Sequence, residues 1–516
     1  MNSFYDQLQK TITDSPLNRS ITENGAIGYK TTGRKILDIN FAVSSLRSKS
    51  EAEVEAMFAE ACGDDLNTAI VWLFYARDVR GSGLGERRLF RICMKYLAQE
   101  FPDKVRKLLP LIAEYGRWDD MWCLLDTRFE QDVCAIVKNQ LTSDMANMKA
   151  GKSVSLLGKW LPSSNTSSAD TVAKAELIRR NLNITPRQYR KMLSALRKYI
   201  DVTERKMSAN QWEDIKYEAV PSRANLVYNS AFLRHDEERR REYLGKLEKG
   251  ETKINASVLF PHDIVHKYMD GIGYGFRVGP VDSALEGMWK ALPNTVKDGE
   301  GTIVVADGSG SMTSRIGKTN ITAWEVAHAL AIYFAERLPV PYKDQYITFS
   351  SHPQLVRLGG AGTLRGKLQI ASQHAECANT NIEAVFDLIL DTAIRNKLSQ
   401  SEMPKNILII SDLEFDQGTN GHGWGCNFRS PSKTLFDEIS ARYRRAGYQL
   451  PRLVFWNVNS RTGTIPVKEN DLGVALVSGF SPNVAKMVMS GKLDPMDSLM
   501  DALNAPRYDA VREALK

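Results

Sequence analysis

Up to about residue 298, apolar residues recur at intervals of three and four, which places them on one face of an α-helix. Residues 65–77, 86–99, 105–115 and 187–202 carry this pattern, separated by short breaks rich in Gly, Pro or Asn. The spacing predicts an all-α region whose helix pairs stack as a solenoid or HEAT-like array, although no strict repeat period runs through it. After residue 298 the pattern changes. Residues 302–306, 346–349, 406–410, 453–458 and 474–477 are short apolar runs of the kind found in strands buried on both faces. Between them, 321–338 and the segment holding Ile382, Val385, Phe386, Ile389 and Leu390 return to helical spacing. Strands alternating with helices predict right-handed crossovers and a doubly wound parallel sheet. The predicted fold class is multidomain, α plus α/β, with a helical domain over 1–298, an α/β domain over 299–481 and a helical extension over 482–516. The linker is expected near 293–301, and the extension, through Val484, Met487, Val488, Leu499, Leu503 and Val511, is expected to pack back on one domain.

The run 302–306 breaks directly into Asp307-Gly308-Ser309-Gly310-Ser311. One carboxylate and two hydroxyls at a strand end are the oxygen ligands that a hard divalent cation prefers. The alternative is an Asx turn that caps the following helix. Thr380 stands just before a helical segment, and Asp412 ends the run 406–411. In a doubly wound sheet all of these would face the crevice beyond the carboxyl ends of the strands, where ligands bind. Glu414 and Asp416 lie just past Asp412, within reach of the same site, and read more readily as a solvated loop face.

These three separated loops, in this order, resemble the von Willebrand A domain with its metal-ion-dependent adhesion site. The resemblance implies Mg²⁺ (or Mn²⁺ or Ca²⁺) ligated by Asp307, Ser309, Ser311 and Thr380, with Asp412 behind them and one position open to an acidic group of a protein partner. The chain departs from the commoner family pattern at Asn381, where Asp is often found, and at Leu413, where Gly is frequent.

Composition narrows the classes. The chain has 516 residues, 43% hydrophobic and 25% charged, as in ordinary globular proteins of more than one domain. No run is long and apolar enough for a membrane span, and the first residues lack a signal-peptide pattern, so an intracellular, cytoplasmic protein is expected. Its six cysteines form no Cys-x-x-Cys pair and read as buried thiols. Its seven histidines include no His-Glu-x-x-His, and Ser309 and Ser311 lack a triad context, so a binding protein rather than an enzyme is expected. His262 and His266 share a helix face and read as structural.

The net charge of +7 is unevenly spread: residues 151–200 hold ten Lys and Arg against two acids. Lys159, Lys174, Arg179, Arg180, Arg187, Arg190, Lys191, Arg197 and Lys198 belong to this run, interleaved with Trp160, Tyr189 and Tyr199. Such a surface suits phosphate neutralisation and base stacking on single-stranded RNA, and equally a solvated helix face. A second basic element, Arg80 and Arg87 around Gly81-Ser82-Gly83-Leu84-Gly85, offers either phosphate-binding amides or a tight interhelical turn.

A helical region followed by this α/β domain is similar to the Ro autoantigen (TROVE) class. Residues 259–265 with Tyr268 and Gly271, the segment 282–289, and 473–480 carry the likeness, with a fainter trace at 116–120. The resemblance implies a helical ring that binds single-stranded RNA ends and structured RNA. A metal-dependent protein-interaction adaptor without RNA is the alternative.

Overall fold

The structure, a computed structural model, describes residues 11, 15–22, 27–81, 83–270, 277–296, 301–349, 353–374, 382–414, 435–465, 474–481 and 494–516. The chain forms two compact units, one made of residues 1–69 and 259–504, the other of 70–258 and 505–516. The protein is thus a multidomain α plus α/β structure, but its units are drawn differently from the boundaries expected at 298/299 and 481/482.

The first unit is built on a six-stranded sheet: β1 (Thr302–Asp307), β2 (Gln345–Phe349), β3 (Gln354–Arg357), β4 (Asn406–Ser411), β5 (Arg452–Asn457) and β6 (Val474–Ser478). Its order is β6-β5-β4-β1-β2-β3. All pairings are parallel except β2 with β3, so the sheet is mixed rather than wholly parallel. The antiparallel strand β3 went unpredicted because Gln354 and Arg357 flank only two apolar residues, and it pairs only with β2. The chain winds outward in one direction from β1 to β3 and in the other from β4 to β6. The switch point therefore lies between β1 and β4, at the ends that carry Asp307 and Ser411.

Among the helices that cover this sheet or each other are α1 (Lys35–Ala42), α2 (Pro261–Tyr268), α3 (Ala323–Arg337), α4 (Ile382–Asn396) and α5 (Pro495–Leu503). Helix α3 starts at a capping box, in which Thr322 and Glu325 exchange bonds with each other's backbone amides. It is buried from Ala323 to Ala335 because it lies against β1, β2 and β4 on one side and α2 on the other. That second covering explains why 259–268 joins this unit: α2 completes the burial of α3. Helix α1 joins for the same reason, packing on β6 and on α5. The last helices separate, since α5 packs in this unit and Asp509–Leu515 packs on Pro102–Leu108 in the other. The expected helix around Val484 and Met487, and residues 297–300 of the expected linker, lie outside the described residues.

The second unit is helical. Helix Glu51–Arg77, which the chain follows out of the first unit, bends at Asp65 (φ −158°, ψ 103°), whose carboxylate caps the amide of Thr68 at 3.0 Å. The expected segment 105–115 is broken by a 3₁₀ turn, Leu109–Leu111, around Pro110. At its core a charged network is buried: the Arg77 guanidinium contacts Asp120 at 2.7 Å, and Arg91 reaches both Asp119 and Asp120. Removing one partner of such a pair costs about 3–5 kcal/mol because it strands the other charge. The Gly-rich turn is closed internally. Asp78 accepts from the amides of Arg80 and Gly81, and Arg507 and Tyr508 hold the same carboxylate. A Cβ at Gly83 would lie 2.3 Å from the Tyr75 carbonyl. Among the described residues no helix is long and apolar enough to cross a membrane.

His328, on α3, is wholly buried, its ring stacked on Trp324 at 4.0 Å. Burial lowers its pKa from the usual 6.5 to about 3, partly offset by the Trp324 carbonyl. The folded protein therefore leaves His328 neutral where the unfolded chain takes up a proton, and stability falls as pH drops below 6.5. By pH 5 this amounts to about 2 kcal/mol, at about 1.4 kcal/mol per pH unit. In urea unfolding, His328→Phe should gain that amount on wild type between pH 7 and pH 5; parallel curves would show that His328 does not couple folding to pH.

Candidate functional site

Parallel pairing sets Ala306 beside Ile410, so the next residues, Asp307 and Ser411, end adjacent strands together. The Ser411 hydroxyl donates to Asp307 Oδ2 at 2.6 Å, and the Ser309 amide donates to Asp307 Oδ1 at 2.9 Å. The hydroxyls of Ser309 and Ser311 lie 3.0 Å apart. Asp307, Ser309 and Asp412 are buried, while Ser311 is half-buried. Thr380 lies outside the described residues, as do Asn381 and Asp416. The structure thus brings together Asp307, Ser309, Ser311 and Asp412.

The turn after β4 is tight. Leu413 takes a left-handed backbone, φ 62°, and its amide bonds back to the Ser411 hydroxyl at 2.8 Å. For a residue with a Cβ that conformation costs about 1–2 kcal/mol. The turn points Asp412 inward, with Oδ1 accepting the Glu414 amide at 3.3 Å. Asp412 Oδ2 has no hydrogen-bond partner among the described residues, and Arg461 Nη2 approaches it at 3.6 Å. Burial, then the charge of Asp307, push the Asp412 carboxyl up to about 7, against the Ser311 hydroxyl and the Arg461 guanidinium. Two buried carboxylates, two hydroxyls and an unpartnered carboxylate oxygen form a donor set that fits a hard divalent cation.

Glu414 is not the solvated residue the sequence implied. Its buried carboxylate accepts from the amides of Arg461 and Thr462, at 2.8 and 2.9 Å, and from the hydroxyls of Ser460 and Thr462. This clamp holds the 460–462 turn and with it Arg461. Neither Arg461 nor the clamp was legible, because 46 residues separate Ser460 from Glu414 and Ser-Arg-Thr is an ordinary turn composition. Further along the same sheet edge, the Asn457 amide donates to the Phe41 carbonyl at 2.8 Å, and Ser44 bonds Asn457 and Ser478.

The histidines of α2 have separate roles. The His262 ring lies between Phe260 and Phe480, and His266 Nδ1 contacts Glu325 at 2.9 Å.

In the helical unit the basic run divides in two. Helix Pro186–Tyr199, opened by a Thr185 and Gln188 capping box, buries Tyr189, Leu193 and Leu196. Its other face exposes Arg187, Arg190, Lys191 and Lys198, none of which makes an ion pair among the described residues; Arg180 is likewise exposed. Arg197 is different: its three donors meet the carbonyls of Gly158 and Leu161 and the Ser163 hydroxyl. Arg179 is spent on Glu176 and the Ile184 carbonyl, and Lys174 on Asp170. Tyr189 is buried with its hydroxyl on the Pro162 carbonyl. Arg197, Arg179 and Tyr189 are thus braces of the fold, whereas the Lys174 pair lies at the surface. Lys159 and Arg117 flank the Trp160 ring at 5.8 and 4.7 Å. Arg80 stands 4.0 Å from Glu114 and Arg87 3.7 Å from Asp119, while the amides of the turn between them serve Asp78.

Fold and crevice together define a two-unit α plus α/β protein with an oxygen-donor cluster at the switch point of its sheet. Residues 127–303 match the family profile of a domain of unknown function, DUF2828, and residues 301–508 that of another, DUF7788. Over 94% of its length the chain is 30% identical to "Uncharacterized protein L728" of Acanthamoeba polyphaga mimivirus, covering 87% of that protein. The chain belongs to the family of that viral protein.

The clamp is directly testable. Glu414→Ala strands two amides that the carboxylate now binds. Hydrogen exchange at Arg461 and Thr462 should accelerate at least about tenfold, the equivalent of 1.4 kcal/mol of lost protection. Unchanged exchange at both amides would mean that other contacts hold the turn.

Proposed function

We propose that this is an RNA-binding protein of Ro/TROVE type, cytoplasmic and not an enzyme. In this reading a HEAT-like helical region grips single-stranded or structured RNA, and a von Willebrand A domain holds Mg²⁺ (or Mn²⁺ or Ca²⁺) to recruit a protein partner through an acidic group. The metal half rests on the convergence of Asp307, Ser309, Ser311 and Asp412 at the switch point of a sheet wound in both directions. Asp307 would hold the ion with the two serines and Thr380, the charge of Asp412 standing behind them, and hydroxyl ligands leave the ion electrophilic toward an incoming carboxylate. The RNA half rests on the exposed stripe Arg187, Arg190, Lys191 and Lys198, four cations on one helix face that make no ion pair among the described residues. One observation favours the adaptor reading: Arg179, Arg197 and Tyr189 are internal, which shortens the list of groups RNA could reach.

Calorimetric titration tests the metal. Asp307→Ala should abolish uptake of Mg²⁺ or Mn²⁺ while the far-ultraviolet circular dichroism stays that of wild type. Uptake that survives the substitution would remove Asp307 from the ligand set and end the assignment.

The RNA half is read from salt dependence. Neutralising Arg187, Arg190, Lys191 and Lys198 together should lower single-strand affinity and reduce the slope of log affinity against log salt by up to about 3, each phosphate contact contributing roughly 0.7. Arg197→Gln should leave that slope alone, since its donors already serve the fold. Should the wild-type protein bind no RNA, or the fourfold variant keep the full slope, the adaptor reading takes its place.

A further inference from the structure

We propose that Arg461 is a resident counter-cation of the strand-end crevice, competing with a divalent ion for Asp412 and so setting the affinity of the site for metal. The inference rests on the reading of the crevice as a metal site. Arg461 lies on no strand of the sheet, and nothing in the motif that runs from Asp307 to Asp412 requires it.

Three observations carry it. The guanidinium stands 3.6 Å from Asp412 Oδ2, the one oxygen of that carboxylate left without a hydrogen bond among the described residues. Its backbone is held from one side, where Glu414 grips the amides of Arg461 and Thr462. It is held from the other side too. Tyr29 and Ile465 exchange backbone hydrogen bonds, both 2.8 Å, and the hydroxyls of Ser20 and Thr464 meet at 3.0 Å. The antiparallel strands Arg19–Ile21 and Ile27–Tyr29 seat so closely here that a Cβ at Gly28 would fall 2.6 Å from the Ile465 carbonyl oxygen. A flexible arginine would drift away from an incoming ion; one rooted in a turn fixed at both ends stays beside it.

The electrostatics then follow. Asp307 and Asp412 bring two negative charges, and a divalent ion would match them alone. With Arg461 in place a third positive charge shares the pocket, so the ion enters against repulsion that falls with salt and disappears with the guanidinium. Arg461 is 36% exposed, which screens the repulsion without abolishing it.

Manganese serves as the probe, titrated by calorimetry and by the loss of the free-ion paramagnetic resonance signal. Arg461→Gln should bind Mn²⁺ at least about tenfold more tightly than wild type at low salt, with the advantage shrinking as ionic strength rises. Arg461→Lys, which keeps the charge, should stay nearer to wild type than to the glutamine variant. Uptake by Arg461→Gln alone would be the same result at its extreme. Equal or weaker binding by Arg461→Gln, or equal tightening by Arg461→Lys, would overturn the role of Arg461 while leaving the metal site in place. No uptake by either wild type or Arg461→Gln, or uptake that Asp307→Ala leaves unchanged, would overturn the metal reading and this inference with it.

Discussion

Two carboxylates buried at the ends of neighbouring strands are the constraint around which the α/β unit is arranged. Asp307 and Asp412 are both excluded from water, and each raises the cost of the other's charge. The surroundings answer group by group. A serine hydroxyl from β4 and a loop amide serve Asp307, while a turn amide and a guanidinium serve Asp412. Even the left-handed Leu413 belongs to this answer, because it turns the chain sharply enough for Glu414 to go on and grip the turn that bears Arg461. Backbone strain here is spent on placing charge, a pattern common where a fold keeps a site rather than a core.

The helical unit handles charge by the opposite rule. Arg77 and Asp120 are buried as a bonded pair, and Arg240 lies under the rings of Tyr217, Phe232 and Tyr243 with Asn225 and Asn229 on its donors. Charges inside this unit are matched and inward. On the helix Pro186–Tyr199 both regimes meet within a dozen residues: Arg197 braces the loop before it, and its neighbour Lys198 faces solvent.

That helix also marks how far sequence reading reached. Apolar runs without alternation announced β1, β2, β4, β5 and β6, since a strand covered on both faces leaves no polar residue to disguise it. Strand β3, short and flanked by Gln354 and Arg357, had no such signature. The periodicity of 187–202 located the helix but not the fates of its cations, because Arg197 and Lys198 are alike in composition and differ only in what the fold sets against them. Asp307, Ser309, Ser311 and Asp412 were legible because each lies at or just beyond the end of a recognisable strand, and the pairing of those two strands brings the ends together. Glu414 and Arg461 were not, their contact depending on a turn 46 residues away. The unit boundaries were equally hidden, for residues 65–77 read as one uninterrupted helical pattern across the division at 69/70.

That division makes one unit an insertion within the other, since residues 70–258 interrupt a fold whose remaining parts are 1–69 and 259–504. The helical unit in turn draws on residues 505–516: Arg507 and Tyr508 close on Asp78, more than four hundred positions upstream. During synthesis the α/β unit lacks part of its complement until residues up to 504 have emerged, and the helical unit until 505–516 have followed. Nascent α1 and the Asp78 turn must stay open while their partners are still to be made, and contacts of such sequence separation close slowly. Truncation near the carboxyl terminus therefore injures the helical unit first, although most of that unit was synthesised hundreds of residues earlier.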